Sequence, residues 1–393
     1  MIKPTLIFIC LQWALTTCDA QSNIDTLLGQ IQSRNSQLAS NTKYWDAKSL
    51  EYKTGLTPMN PFIEYDYLFG SPAGLGNQKE LSITQQMDFP TVYSRKKDLS
   101  NELVSQAQMQ KKIFRQDMLL ATKLLLFDLI YLNTKESQLL GRQQKSAQFL
   151  QEYEEKLHQG DASLLDLNKI KLQHLSIKYD LLLLQNEKQI LLTKLAEYNG
   201  GVRVDFKDTV YPEIPVIPDF EILDSLIESN DPLIALYEQE KQIQEQEVSL
   251  QKSLNLPKIE AGYHGQTLLE TRLQGIHAGI TVPLWENNHK VKAAEANVYF
   301  AAANIQQHRL EHRMENQRLY DLLAVRQDAM EEYEILLGSM NNTLLLDKAL
   351  RLGEITIIQY FLEQAYFYTA HDNNEQLKLE YNKAIAELYK FTL

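Results

Sequence analysis

The sequence predicts a mainly α-helical protein with a four-strand β contribution and an internal duplication. Its long coiled-coil helices would form a hollow cylinder continuous with a β-barrel shared between copies. Three observations predict this: the chain repeats itself, it holds two long stretches almost free of Pro and Gly, and it has only four alternating strands. Repeats come first, because a missed repeat misreads the fold. Leu27, Ile31 and Ser33 recur as Leu223, Ile227 and Ser229. Asn35, Leu38 and Ala39 align with Asp231, Ile234 and Ala235, and Pro61, Ile63, Glu64 and Tyr67 recur as Pro257, Ile259, Glu260 and Tyr263, an offset of 196. Downstream the offset becomes 193, with Pro90, Lys97 and Leu157 recurring as Pro283, Lys290 and Leu350. The change falls between Tyr67 and Pro90, where a loop absorbs it.

Each half reads helix, strand, strand, long helix, turn, helix. The first repeat is assigned to 21–200, a linker to 201–218 and the second repeat to 219–393. Gly200 and Gly201 end the preceding helix, and Pro212, Pro215 and Pro218 keep the linker extended. Asp231-Pro232 reads as an N-cap followed by Pro in the first helical position, a restart within that helix.

Residues 1–20 read as a secretion signal: Lys3, an apolar Leu6–Leu15 run too short to span a bilayer, and cleavage after Ala20. An alternative makes Leu15-Thr16-Thr17-Cys18 a lipoprotein box with Cys18 acylated. Both cysteines, Cys10 and Cys18, lie in this segment, so its removal leaves no thiol for a disulfide, a nucleophile or a thiolate metal site. The formal net charge of −12 argues against a nucleic-acid partner. The most apolar later stretch, Leu119–Leu132, is interrupted by Lys123 and Asp128 and is too short for a transmembrane helix.

The predicted strands alternate with period two. In Pro257–Leu268, Ile259, Ala261 and Tyr263 oppose Glu260, Gly262 and His264; in Arg272–Pro283, Ile276, Ala278 and Ile280 oppose Gly275, His277 and Gly279. In the first half, Ile63, Tyr65 and Tyr67 oppose Glu64 and Asp66. Leu81, Ile83, Met87 and Phe89 oppose Ser82, Thr84, Gln86 and Asp88, with Gln85 interrupting the apolar face. Strands of about 9–12 residues cross a bilayer when tilted. Four strands cannot close a barrel, and open edges are not tolerated in lipid, so several copies must share one. Three copies would give twelve strands, with Glu64, Asp66, Asp88, Glu260, His264 and His277 lining the pore.

From about Ser94 to Gln159 there is no Pro and one Gly, Gly141; from about Asn288 to Leu352 the one Gly is Gly338. A helix of roughly 65 residues is about 100 Å long, which fits a coiled coil or a tube. Each ends in a sharp turn. Gly160 suits the left-handed position that stops a helix, and Ser163 caps the next with Asp166 three residues on; Gly353, Thr356 and Gln359 repeat the spacing.

The segments Asn255-Leu256-Pro257-Lys258-Ile259-Glu260-Ala261-Gly262-Tyr263 and Gly279-Ile280-Thr281-Val282-Pro283-Leu284-Trp285, with Lys290, Ala293 and the turns at Gly160 and Gly353, resemble the TolC-like outer-membrane efflux family. The resemblance spans nearly all of the chain after residue 20. It implies a homotrimer with a twelve-stranded barrel in outer-membrane lipid and a helical periplasmic tunnel. It also implies docking to a periplasmic adaptor protein and to an inner-membrane efflux transporter of the resistance-nodulation-division type. The adaptor would meet the turns at Leu157, Gly160, Ser163, Leu350, Gly353 and Thr356. The family often has acidic rings after the second turn; here the matching positions are Gln359 and Leu362, with Glu363 adjacent, and Asp166 follows the first turn.

No phosphate-binding Gly-rich loop and no nucleophile–base arrangement is present, so no catalytic residue and no cofactor are expected. His308 and His312, one helical turn apart, read as a solvated face rather than a metal pair, and His264 and His277 as polar lining rather than a metal or pH-sensitive site. The expected role is a passive exit duct for metal ions or organic toxicants. The alternatives are the channel of a type I protein secretion system and, in a different class, a periplasmic coiled-coil scaffold without a pore.

Overall fold

The computed structural model describes residues 23–72, 74, 76–340 and 342–393. The expected signal segment, 1–20, lies outside the described residues. In chain order the elements are α1 (Asn23–Arg34), α2 (Ser36–Glu51), β1 (Phe62–Leu68), β2 (Gln78–Met87), α3 (Pro90–Gln159) and α4 (Leu164–Tyr198). The second half runs α5 (Phe220–Asn230), α6 (Pro232–Ser253), β3 (Lys258–Leu268), β4 (Thr271–Thr281), α7 (Lys290–Ser339), α8 (Asn342–Arg351) and α9 (Ile357–Leu388).

The helix α3 has 70 residues, about 105 Å at 1.5 Å per residue. It starts four residues earlier than predicted, because Pro90 occupies the first helical position, where its missing N–H costs nothing. Against α3 pack α4 from below and α2 from above, so two shorter helices cover one long one. The break between α1 and α2 was not anticipated. Asn35 Oδ1 accepts the Leu38 N–H at 2.9 Å, and Asn35 Nδ2 donates to the Tyr198 carbonyl at 2.9 Å. The predicted break at Asp231 is its counterpart, with Asp231 Oδ1 accepting the Leu233 N–H at 2.7 Å.

The second long helix, expected to run unbroken from about Asn288 to Leu352, is instead interrupted. It stops at Ser339, Met340 is extended (φ −98°, ψ 117°), and α8 resumes at Asn342. Gly338, Ser339, Asn341 and Asn342 are all poor helix formers, and together they outweigh the flanking propensity.

The apolar core is a string of clusters rather than a sphere. One holds Ile31, Leu126, Leu129, Ile130 and Leu195. It absorbs the Leu119–Leu132 stretch, whose Asp128 pairs with Lys383 at 2.6 Å. The 201–218 linker straps across it: Phe206 is buried, and Asn133 Nδ2 donates to the Asp208 carbonyl at 2.8 Å. A second cluster joins α5, α7 and α9 through Leu223, Leu323 and Leu388. A third fills the tip of the hairpins, and a fourth ties α3 to α4 through Leu139 and Leu184. Among the described residues, none of these clusters includes a residue of α2 or α6, or of α3 before Met118 and Leu119. No described helix is long and apolar enough to cross a membrane.

The strands form one antiparallel sheet in the order β1-β2-β3-β4, leaving β1 and β4 as open edges. At seven residues, β1 is shorter than predicted. Its pairing ends at Leu68 with Gln78, just before Gly70 and Pro72, and Pro cannot donate to a ladder.

Candidate functional site

Paired residues of an antiparallel ladder share a face. The register therefore sorts the sheet into two surfaces. One face carries the rows Glu64–Ser82–His264–Gly275 and Asp66–Glu80–Gln266–Leu273. Next on it come Phe62–Thr84–Gly262–His277 and Gln86–Glu260–Gly279. The other face carries Ile63–Ile83–Tyr263–Ile276, Tyr65–Leu81, Ala261–Ala278 and Met87–Ile259–Ile280. Its side chains lie open: Ile276 is 92% exposed, Ile280 70% and Ile63 65%. In water such a face would be a liability; in lipid it is a fitted surface. Gln85 interrupts it without an orphaned donor, since its Nε2 donates to the Met59 carbonyl at 2.7 Å.

Glu64, Asp66, Glu260, His264 and His277 stand together on the polar face. Glu80 joins them; it was legible two positions before Ser82 in the same alternation but was not singled out. Asp88 does not belong to a strand. It lies one residue beyond β2, at the junction with α3, and its carboxylate pairs with Lys96 at 2.9 Å. The His277 ring occupies the space beside Gly262 and approaches Glu260, Nε2 to Oε1 3.4 Å.

At the far end of the helices the two turns have the same geometry. Gly160 has φ 85° and Gly353 φ 74°. The Gly160 N–H donates to the Leu157 carbonyl and the Asp161 N–H to that of Lys156; Gly353 to Leu350 and Glu354 to Ala349 repeat the pattern. Ser163 Oγ accepts the Asp166 N–H at 3.1 Å and donates to its carboxylate at 2.6 Å. Thr356 and Gln359 form a complete capping box. Of the four positions matched to the entrance, Asp166 and Gln359 are thus engaged in caps, whereas Leu362 and Glu363 are exposed.

Sequence reading missed the contacts that hold the tip. Tyr360 is fully buried beside Phe149, with ring centroids 5.0 Å apart. Its hydroxyl donates to Asp347 Oδ1 at 2.8 Å and accepts from Gln364 Nε2 at 2.8 Å. Lys145 reaches Asp347 Oδ2 at 2.8 Å, tying α3 to α8. Above it Arg142 grips Asp372 with both terminal nitrogens, 3.2 and 2.7 Å, and lies 4.1 Å over the Tyr368 ring. Burial would raise the Asp347 carboxyl, but the hydrogen bonds from Lys145 and Tyr360 outweigh it and hold it below its ordinary value. Burial, reinforced by Asp347, pushes the Tyr360 phenol far up. A carboxyl lowered by folding stabilises above its unfolded pKa, and the benefit disappears as pH falls through the folded one. Asp347→Asn is therefore expected to destabilise the tip by about 1–3 kcal/mol at neutral pH. Amide exchange across 346–361 should show this difference narrowing below about pH 4.

The paired histidines are not a solvated face. His308 is half-buried against Tyr237, with ring centroids 4.5 Å apart, and His312 Nε2 meets Asp231 Oδ2 at 3.0 Å, pinning α7 to the α5–α6 break.

A sheet polar on one side and apolar on the other, open at both edges and continued by long helical hairpins, is the fold of solved outer-membrane channels. The chain has that fold. It matches the outer-membrane channel OprN with TM-score 0.75 and 14% identity, covering 94% of this chain and 89% of that one. It matches the CmeC outer membrane channel of Campylobacter jejuni with TM-score 0.71 and 15% identity, over 100% of this chain and 93% of that one. CusC, described for its transmembrane channel formation, matches with TM-score 0.73 and 14% identity, over 95% and 92%. No family model matches the sequence, and no curated protein matches it. The mainly α fold with a four-strand sheet, which the TolC-like resemblance implied, is the fold observed.

Proposed function

We propose that this chain is one protomer of a homotrimeric outer-membrane exit duct, the passive outer component of a tripartite efflux pump. The observation that carries this reading is the exposed apolar sheet face with two open edges, on a fold shared with outer-membrane channels. Three copies joined edge to edge would close twelve strands, with the Glu64, Asp66, Glu80 and Glu260 face inward. The helices extend into the periplasm. The Gly160 and Gly353 turns meet a periplasmic adaptor, and an inner-membrane transporter of the resistance-nodulation-division type supplies energy, so the duct itself needs no catalytic residue. In this reading 1–20 is the export signal, and 21–200 and 219–393 are two copies of one repeat joined by 201–218.

The purified full chain should run as a heat-modifiable trimer and conduct in planar bilayers. A monomer without conductance would overturn the channel and leave the coiled-coil scaffold. A deletion strain should gain sensitivity to divalent metals, dyes or detergents; unchanged sensitivity to all three would move the cargo to polypeptide.

A further inference from the structure

The charges of the sheet are segregated by face. Its four acids, Glu64, Asp66, Glu80 and Glu260, lie on the polar face. The two cations away from the helical end, Lys79 and Arg272, lie on the apolar face, in one row: Tyr67–Lys79–Thr267–Arg272. That row is at the end of the sheet distal to the helices, beside the loop joining β1 to β2 and the β3–β4 turn. Both side chains are exposed, and neither forms an ion pair with any described residue, Glu270 in the turn included. Lys79 Nζ stands 5.8 Å from the centre of the Tyr67 ring, which packs edge-on against Phe69 at 4.9 Å.

Depth decides what these cations meet. From Arg272 to Val282, one residue past the end of β4, the chain direction covers about 34 Å, or about 25 Å along the axis of a barrel tilted by about 40°. This is the height of the apolar band of an outer-membrane barrel. The band ends at the other side in exposed Val282, Leu284 and Trp285. A cation on the lipid face is costly at the midplane and nearly free at the rim. Long basic side chains on an apolar wall extend their heads to that rim.

We propose that Lys79 and Arg272 form a binding site for the phosphate groups of outer-leaflet lipid, with the acyl chains lying on the Ile83, Tyr263 and Ile276 surface below. The site rests on the membrane-barrel reading. Arg supplies a fork matched to phosphate oxygens, and Lys supplies a mobile point charge. The aromatic pair beside Lys79 suits the interface between headgroup and chain.

The test uses the purified full-length oligomer in detergent, with lipid binding read by native mass spectrometry. Probes are lipopolysaccharide, its dephosphorylated form, phosphatidylcholine and inorganic phosphate. Lys79→Gln with Arg272→Gln should weaken lipopolysaccharide binding by roughly tenfold or more, the scale of one lost charge-assisted hydrogen bond. Lys79→Arg with Arg272→Lys should retain it. The dephosphorylated lipid, and phosphatidylcholine, whose phosphate is neutralised by its own choline cation, should bind both proteins alike. Equal lipopolysaccharide binding by wild type and the Gln variant overturns the site, as does an equal loss for phosphatidylcholine. Inorganic phosphate that displaces the lipid entirely makes this a free-anion site and also overturns it. Planar-bilayer conductance separates the two levels. If both proteins conduct and bind lipid equally, the site alone fails; if neither inserts, the barrel reading fails and takes the site with it.

Discussion

Gly262→Val is expected to abolish assembly of the sheet. A Cβ at Gly262 would lie 2.4 Å from His277 Cε1 and 2.6 Å from the Ile83 carbonyl oxygen. The imidazole can swing aside, but the carbonyl cannot. Ile83 is locked in the β2–β3 ladder opposite Tyr263, the residue next to Gly262. The clash must separate two central strands, at a cost of about 3 kcal/mol or more. Loss of heat-modifiable oligomers, with the helical content retained by circular dichroism, is the measurement. Adding His277→Ala should restore little, because it removes only the movable half of the obstruction. Full rescue by that second change would show that the carbonyl contact is not limiting.

Val at Gly160 or Gly353 is expected to uncouple the proposed duct while leaving it assembled. An added Cβ meets nothing within 4 Å at either position, so crowding plays no part. The cost is backbone alone: a β-branched residue at φ 85° or 74° costs about 1–3 kcal/mol each. The two turns close the cluster of Phe149, Leu167, Ile170, Ile357 and Tyr360, so opening them disorders the surface proposed to meet the adaptor. Resistance in vivo should fall strongly in the double variant, with trimer abundance and bilayer conductance unchanged, since the sheet lies at the opposite end of the hairpins. Asn tolerates the left-handed region, so Gly353→Asn should retain most activity. Full resistance with Val at both positions would contradict the turn geometry.

Much of this architecture is readable from local rules. The strand faces follow from period two, and the register places Glu64, Glu260, His264 and His277 on one side as the alternation required. The turns follow from Gly and a capping residue three positions on. The failures share a cause as well. Asp88 continues the alternation of β2, but Pro90 starts a helix and draws it to Lys96. The break at Met340 comes from several weak helix formers acting together, none of them a Pro. The tip network could not be found by spacing: Lys145 and Asp347 are 202 residues apart, and Tyr360 reaches Asp347 across the very turn that creates the contact. His312 likewise looked solvated until the α5–α6 break brought Asp231 to it.

The uneven placement of the apolar clusters bears on how the molecule reaches its working state. The half of the helical layer away from the sheet holds Leu126, Leu195 and Tyr360 in cores of its own. In the sheet-proximal half, α2, α6 and the start of α3, buried apolar residues such as Ile234, Ile243 and Leu250 fall outside the described clusters, and Tyr299 and Phe300 on the adjoining part of α7 lie open. In the proposed trimer, order in that half is coupled to association, and its stability depends on chain concentration. Dilution should loosen α2 and α6 first and leave the distal hairpins folded, so that in the proposed duct each protomer would insert as a rigid stalk carrying an unfinished crown.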